Sequence, residues 1–401
     1  MPADALDWPI RINLVSPGLY SDGDPFVQWR WLRVNDPVHH HDATDYPSFW
    51  ALTRYEDIKA VLRDAETFSS AKGILLRPSG HGADPGGGRT LALTDPPRHR
   101  QLRGLVDEWF TVRSVRVFEA KMREVAASVL DLALEQEHCD FVGDIAARIP
   151  LYMACSMMGV PKPDWENLFT LSREALAGGD AFTRRLAHLQ IMEYFADLAV
   201  DKAASPADDL VSVLVTGEIE GERLSQEDIL LNCDNLFVAG TENTRLAAAG
   251  GMLAFLEHPE QWRLLVEDPA LLPSAVEEVL RWTSSATHLM RTATRPVEIR
   301  GRRISAGDPV ILWLPSANRD GEVFADPDCF NVTRHPNRHL ALGAGEHFCV
   351  GSVLARVEIR FLYAELLDRS IEIESDGVPA RLDSIVVNGL EHLPVRLAQR
   401  G

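Results

Sequence analysis

Lysine is scarce in this chain: five of its forty basic residues, the other thirty-five being arginine. Acidic residues number 59, which leaves a formal charge of −19 at pH 7. A chain so short of positive charge is poorly made for phosphate backbones, so nucleic acid is not the expected partner. Cysteine is also sparse, five in 401 residues, with no Cys-x-x-Cys pair and an odd total. That is poor material for a disulfide framework or a zinc ribbon and fits a reducing cytoplasm. No apolar run reaches the roughly 18–20 residues that span a bilayer. The opening "MPADALDWPIRINLVSPG" has no basic stretch followed by an apolar core, so no secretory leader is expected. No Gly-x-Gly-x-x-Gly turn follows a strand, so neither a bound flavin nor NAD is expected. "HHHD" at 39–42 invites a metal reading, but adjacent strand residues point to opposite faces and no matching ligands lie nearby.

What is present is ordinary globular material, 46% apolar and 25% charged, enough to bury a substantial core. Turn-rich sequence fills the first 55 residues, and "FWALTRYEDIKAVL" reads as a strand running into a helix. Residues 69–90, rich in Gly, Ser and Pro, are too long for a routine connector and suggest a functional loop or lid. Helical patterns then dominate over 99–110, 114–137, 144–159 and 182–203, with "EQEHCD" (135–140) as a helix end. Further helices read at 271–283 and 350–368, with β-like pieces at 296–314 and 383–398. With no repeats and no linker, the expectation is one mainly α domain with small β-sheets over 1–401. Its β-rich part covers roughly 30–65 and 285–400, its helical part roughly 97–283 and 350–368.

The longest helical pattern starts at Ser225, with Asp228 three residues on as a near capping box, and stops before Pro259. Some 33 residues at ~1.5 Å each span about 50 Å, so its middle is buried. That middle reads "VAGTENTRLA" (238–247). Glycine inside a helix costs about 1 kcal/mol against alanine, and a carboxylate among uncharged polar side chains does not suit a buried structural face. The Ala239–Gly240 step makes room, and Glu242 and Asn243 offer polar chemistry beside it.

"LGAGEHFCVGSVLARVE", from Leu342, is the strongest local signal. Cys349 sits at a helix start, where backbone N–H groups and the helix dipole favour a thiolate. Gly343, Gly345 and Gly351 permit sharp turns and close approach of the backbone to a flat ligand. His347 can donate to an anionic group on that ligand.

This segment resembles the haem-binding loop of the cytochrome P450 family, in its soluble bacterial branch. Glu278-Val279-Leu280-Arg281 resembles the family's Glu-x-x-Arg motif, and "ANRDGEVFADPDCFNVTRHPNRHLALG" (317–343) the stretch before its Cys loop, which places Arg334 with Glu278 and Arg281. "TDPPRHRQLRGLV" (94–106) and "HLMRTATRPVEIRG" (288–301) resemble the segments that meet the haem propionates. The resemblance implies a cytochrome P450 fold with haem b held by the Cys349 thiolate, and His99, Arg103, Arg291, His347, Ala239 and Gly343 around it. It implies a monooxygenase that uses O2 and two electrons from ferredoxin and a ferredoxin reductase, docking near Arg100, Arg103, Arg113 and Arg338. Ala239–Gly240 would then be an oxygen groove, with Glu242 as proton source.

Two departures stand out. Leu342 replaces the family's usual Phe, and Asn243 stands where a threonine is usual. An amide makes hydrogen bonds but relays protons poorly. Three readings stay open: Asn243 orders water and dioxygen while protons arrive elsewhere; the enzyme couples or closes rings by a less relay-dependent oxidation; or Thr241 or Thr244 takes over after a local helix distortion. By position the resemblance assigns the substrate pocket to Asn235, Val238, Ala239, Thr287, His288, Leu289, Val386 and Val387, with Leu75 and Leu76 closing over it. Its polar members suit a partly oxygenated natural-product intermediate of polyketide, macrolide or aromatic type, free or attached to a carrier protein. A monomer in the cytoplasm is expected. A haem protein that senses a ligand without turnover is the remaining class.

Overall fold

The computed structural model describes residues 12–16, 18–80, 82–136, 138–177 and 181–399. Most of the N-terminal stretch read above for a leader lies outside them. Helix dominates: the principal helices are Glu119–Gln136, Arg148–Met158, Trp165–Ala177, Ala181–Ala204, Gln226–Glu257, Leu272–Thr283 and Ser352–Asp368. Among the described residues no helix is long and apolar enough to cross a membrane.

Gln226–Glu257 is the long helix the sequence promised, and its start is built as expected: Ser225 Oγ accepts from the Asp228 N–H at 3.1 Å. Its small residues Ala247, Ala248, Ala249 and Gly251 are buried, which lets neighbours approach closely. At Gly251 an added Cβ would lie 2.3 Å from the Tyr363 hydroxyl, so only glycine fits. Tyr363 in turn donates to the Ala248 carbonyl at 2.8 Å, tying Ser352–Asp368 to the long helix.

A five-stranded sheet flanks the helices in the order Val38–His41, Phe49–Leu52, Pro309–Trp313, His288–Ala293, Phe68–Ser69. Its Pro309–Trp313 strand is fully paired, parallel to Phe49–Leu52 (Ile311 beside Ala51) and antiparallel to His288–Ala293 (Ile311 beside Met290). Val310, Ile311 and Leu312 are therefore buried, as a central strand of continuous apolar residues should be. His39 and His41 of the histidine run turn to separate partners, Asp36 and the Asp42 carbonyl.

Three expectations change. The turn-rich N-terminal stretch contains a helix, Pro25–Asn35, capped by Asp24, which accepts from the Phe26 N–H. Residues 135–140 do more than end a helix: His138–Asp140 is a strand paired with Pro394–Gln399. The 69–90 stretch is strapped down, with the Met290 N–H donating to the Ile74 carbonyl at 2.7 Å and the Leu91 N–H to Asn232 Oδ1 at 2.9 Å.

Candidate active site

Two helices and a loop enclose one cavity. The middle of the long helix supplies Ala239, Gly240, Asn243 and Thr244; the Cys loop supplies Leu342, Gly343, His347, Cys349 and Gly351. Leu354, Glu358 and Ile359 enter from the helix after that loop, and Ser285, Ala286 and Leu289 from the segment after Leu272–Thr283.

The Cys loop takes its shape from glycine. Gly343 and Gly345 have φ of +72° and +74°, and a Cβ at Gly345 would sit 2.4 Å from the Leu62 carbonyl oxygen. Cys349 closes the turn by donating its N–H to the Leu342 carbonyl at 3.0 Å. Burial pushes the Cys349 thiol up, while the Gly351 N–H and the charges of Arg103 and Arg356 pull it down. The helix-start effect read from the sequence is thus present but outweighed by desolvation.

Beside the cavity lies a cluster of nitrogen groups short of partners. Arg291 is 3% exposed and, among the described residues, donates only to the Met290 carbonyl, at 2.9 Å. Burial brings its guanidinium down to about 10, and only Asp95 opposes that. The rings of His99 and His347 lie 4.1 Å apart, and His99 Nδ1 and His347 Nε2 are buried without hydrogen-bond partners among the described residues. Burial together with Arg291, His99 and Arg103 lowers His347 to about 3, so the imidazole is neutral. Arg103 instead grips the Cys loop, donating to the carbonyls of Glu346 (3.2 Å) and Phe348 (2.7 Å) and pairing with Asp107. A buried guanidinium such as Arg291, with no carboxylate partner among the described residues, demands an anion.

Residues and cavity fit an iron porphyrin on independent grounds. A Cβ added at Gly240 or Gly351 would meet nothing within 4 Å, so both glycines front open space. The walls are largely apolar, a thiol lines them, and orphan donors stand at the edge. Cys349 would hold the metal, and Arg291, His99, His347 and Arg103 the acidic edge of the ring.

The sequence-assigned residues divide. Ala239, Asn243, Leu289, Gly343, His347 and Cys349 line the cavity. Glu242 does not: it is 7% exposed and forms an ion pair with Arg245, one turn along the same helix. That pair, and not the cavity lining, is where the structure places the carboxylate expected as proton source. The helix runs through this point unbroken, with Thr241 hydroxyl bonding back to the Phe237 carbonyl at 3.0 Å, so no distortion brings Thr241 in. Thr244 lines the cavity without one.

His288 is placed by two backbone contacts. Its Nδ1 bonds the Ile385 carbonyl at 2.8 Å and its Nε2 accepts from the Leu76 N–H at 2.9 Å, leaving no ring nitrogen for a ligand. Burial lowers it to about 4, consistent with a neutral clamp between two loops. Leu76 packs into the cluster around Trp29 and Trp313 and does not close over a ligand, while Leu75 is exposed. Thr287 is fully buried with its N–H on the Val386 carbonyl, and Val387 bridges to Ala286; Asn235 and Val238 flank the lining residues Leu236 and Ala239 on the long helix but are not themselves in the cavity lining.

Glu358 was not read from the sequence. It is buried, its carboxyl oxygens have no well-formed hydrogen bond among the described residues, and burial raises it to about 8, offset only in part by the nearby Thr244 hydroxyl on the facing helix. The signal existed: Leu354, Glu358, Leu362 and Leu366 form one i,i+4 row, a carboxyl group in an apolar stripe.

Beneath the site, Glu278 and Arg281 are fully buried and joined by two hydrogen bonds. Glu278 also accepts from Arg334 Nε (3.1 Å), the Asn331 N–H (2.8 Å) and Asn337 Nδ2 (3.0 Å). Arg281 reaches the carbonyls of Asn318, Pro327 and Cys329, which are those of the segment leading to the Cys loop.

A fold of this layout with a cysteine loop under a long helix defines a haem-thiolate class, and comparison with known proteins agrees. A family model described as Cytochrome P450 matches residues 189–380. Cytochrome P450 NovI of Streptomyces niveus is 34% identical over 392 residues, 96% of either chain. Among solved structures, P450 OxyD, described as involved in the biosynthesis of vancomycin-type antibiotics, aligns with a TM-score of 0.90 at 36% identity, covering 97% of this chain and 100% of that one. P450BioI in complex with an acyl carrier protein aligns at 0.83 and 28% identity, covering 94% and 99%. The chain belongs to the cytochrome P450 family. It is an oxidoreductase of the monooxygenase class, in a family that uses haem-thiolate iron and O2 and takes electrons from redox partners.

Proposed function

We propose that this chain hydroxylates or epoxidises a medium-sized, partly oxygenated natural-product intermediate, with haem b held by Cys349 and electrons from a ferredoxin and its reductase. The observation that carries the haem assignment is the shared cavity: Cys349 lines it with Asn243 and Glu358, and the unpaired Arg291 lies beside it. When bound, the iron porphyrin supplies dioxygen binding and O–O cleavage, which a thiolate ligand favours. Around it the chain's residues divide the work. Ala239 and Gly240 leave room, Leu289 and Ala286 exclude water, and Glu358 holds a proton at neutral pH beside the Thr244 hydroxyl, which can pass it toward Asn243. The electron donor meets the Cys loop face, where Arg100 is already paired with Glu346 and Arg103 with Asp107, so its free positive charge is smaller than the arginine count suggests.

The natural-product reading is supported by NovI and OxyD, and a carrier-bound substrate by the P450BioI complex. A second reading, oxidative coupling or ring formation, is favoured by Asn243 in place of a hydroxyl. A library of carrier-bound and free polyketide and aromatic compounds, screened for spin-state shifts and then for products with ferredoxin and reductase, tests both. Hydroxylated or epoxidised product supports the first reading; coupled or cyclised product without oxygen insertion supports the second.

A further inference from the structure

Ser285 was not among the expected site residues, yet it lines the cavity and its hydroxyl donates to Asn243 Oδ1 at 3.2 Å. The Asn243 carbonyl is thereby used. Its Nδ2 forms no hydrogen bond among the described residues, and Asn243 also lines the cavity. With the amide oxygen held by Ser285, the two N–H donors on Nδ2 are the polar groups without a protein partner among the described residues.

Ser285 is held firmly in place. Its carbonyl accepts the Asn388 N–H at 2.7 Å, its neighbour Ala286 bridges to Val387, and the Thr287 N–H donates to the Val386 carbonyl at 3.0 Å. On the other side Ser284, at φ +43°, donates its hydroxyl to the Arg281 carbonyl and accepts from Asn318 Nδ2, each at 2.8 Å. Asn318 in turn accepts Arg281 Nη1 at its carbonyl. The buried Glu278–Arg281 pair thus anchors the backbone from which Ser285 reaches Asn243.

We propose that Ser285 is a positioning residue that turns the Asn243 oxygen toward the wall and Nδ2 toward the cavity, so that the site presents a fixed N–H donor and favours ligands carrying an acceptor oxygen there. This rests on the haem reading above. It makes Asn243 an anchor for an oxygen atom and leaves proton storage to Glu358.

The test uses the carbon monoxide complex of the reduced holoprotein as probe and reads the C–O stretching band by infrared spectroscopy. An N–H dipole aimed at the bound ligand lowers that frequency. The wild type gives one narrow band. Ser285→Ala releases the amide and adds a second, higher-frequency component, and Ser285→Thr restores the single band. Asn243→Leu moves the band up, and adding Ser285→Ala to it changes nothing more. Should Ser285→Ala not fold, the nearly isosteric Ser285→Cys, a weaker donor, reads the same shift. A Ser285→Ala band identical to wild type, or an equal change in the Asn243→Leu background, overturns the proposal. Failure of any carbonyl complex to form overturns the haem reading instead, so the two failures are distinct.

Discussion

Arg281 and Glu278 stand one turn apart on Leu272–Thr283, both fully buried and joined by two hydrogen bonds of 2.8 Å. The pair organises the polypeptide below the site, because Arg281 also binds three carbonyls of the segment that leads to the Cys loop. Glu278→Ala leaves a buried guanidinium without a carboxylate, a change that costs about 3–5 kcal/mol. Urea denaturation of the purified variant checks this, and an unchanged midpoint contradicts it.

Glu358 gives a pH signature with a definite sign. Its folded value, about 8, lies above that of an unfolded glutamate near 4.5, so the folded state binds the extra proton between those limits. Stability from this group is complete below the unfolded value and is lost as pH rises through about 8, by up to about 1.4 kcal/mol per pH unit. Denaturation curves between pH 5 and 8.5, run on wild type and Glu358→Gln, check it: the variant flattens the decline. Parallel curves contradict the assignment.

His288→Ala removes the clamp that joins Leu76 to Ile385. The buried Leu76 N–H loses its partner, which costs about 1–3 kcal/mol, and the half-buried Ile385 carbonyl loses one as well. Limited proteolysis followed by mass spectrometry then shows faster cleavage in the 74–90 stretch and near Ile385. Cleavage confined to other loops contradicts the clamp.

Asn243→Thr retains haem and changes the fraction of reducing equivalents that reach product. With a substrate found by spin-state screening, the ratio of product to NADH consumed through ferredoxin and reductase reads this directly. Unchanged coupling and rate in both Asn243→Thr and Asn243→Ala contradict a role for the amide.

Much of this was legible in the sequence where local rules suffice. Ser225 and Pro259 bounded the long helix, glycine spacing marked the Cys loop, and the i,i+3 spacing of Glu278 and Arg281 implied a buried pair. The same spacing joins Glu242 to Arg245, a pairing also present in "TENTRLA". What stayed hidden depends on contacts between distant segments. Ser285 meets Asn243 across 42 residues and His288 meets Leu76 across 212. Glu358 was marked by its apolar i,i+4 row, but its place beside Thr244 depends on that row packing against the long helix.

The central claim is that Cys349 is the thiolate ligand of a bound haem. The decisive measurement is the optical spectrum of the carbon monoxide complex of the reduced holoprotein, for wild type and Cys349→His. The account predicts the long-wavelength Soret band of a thiolate-ligated carbonyl in the wild type, replaced by the shorter-wavelength band of a histidine-ligated one in the variant. A wild type that lacks the long-wavelength band, or a variant that keeps it, would contradict the account.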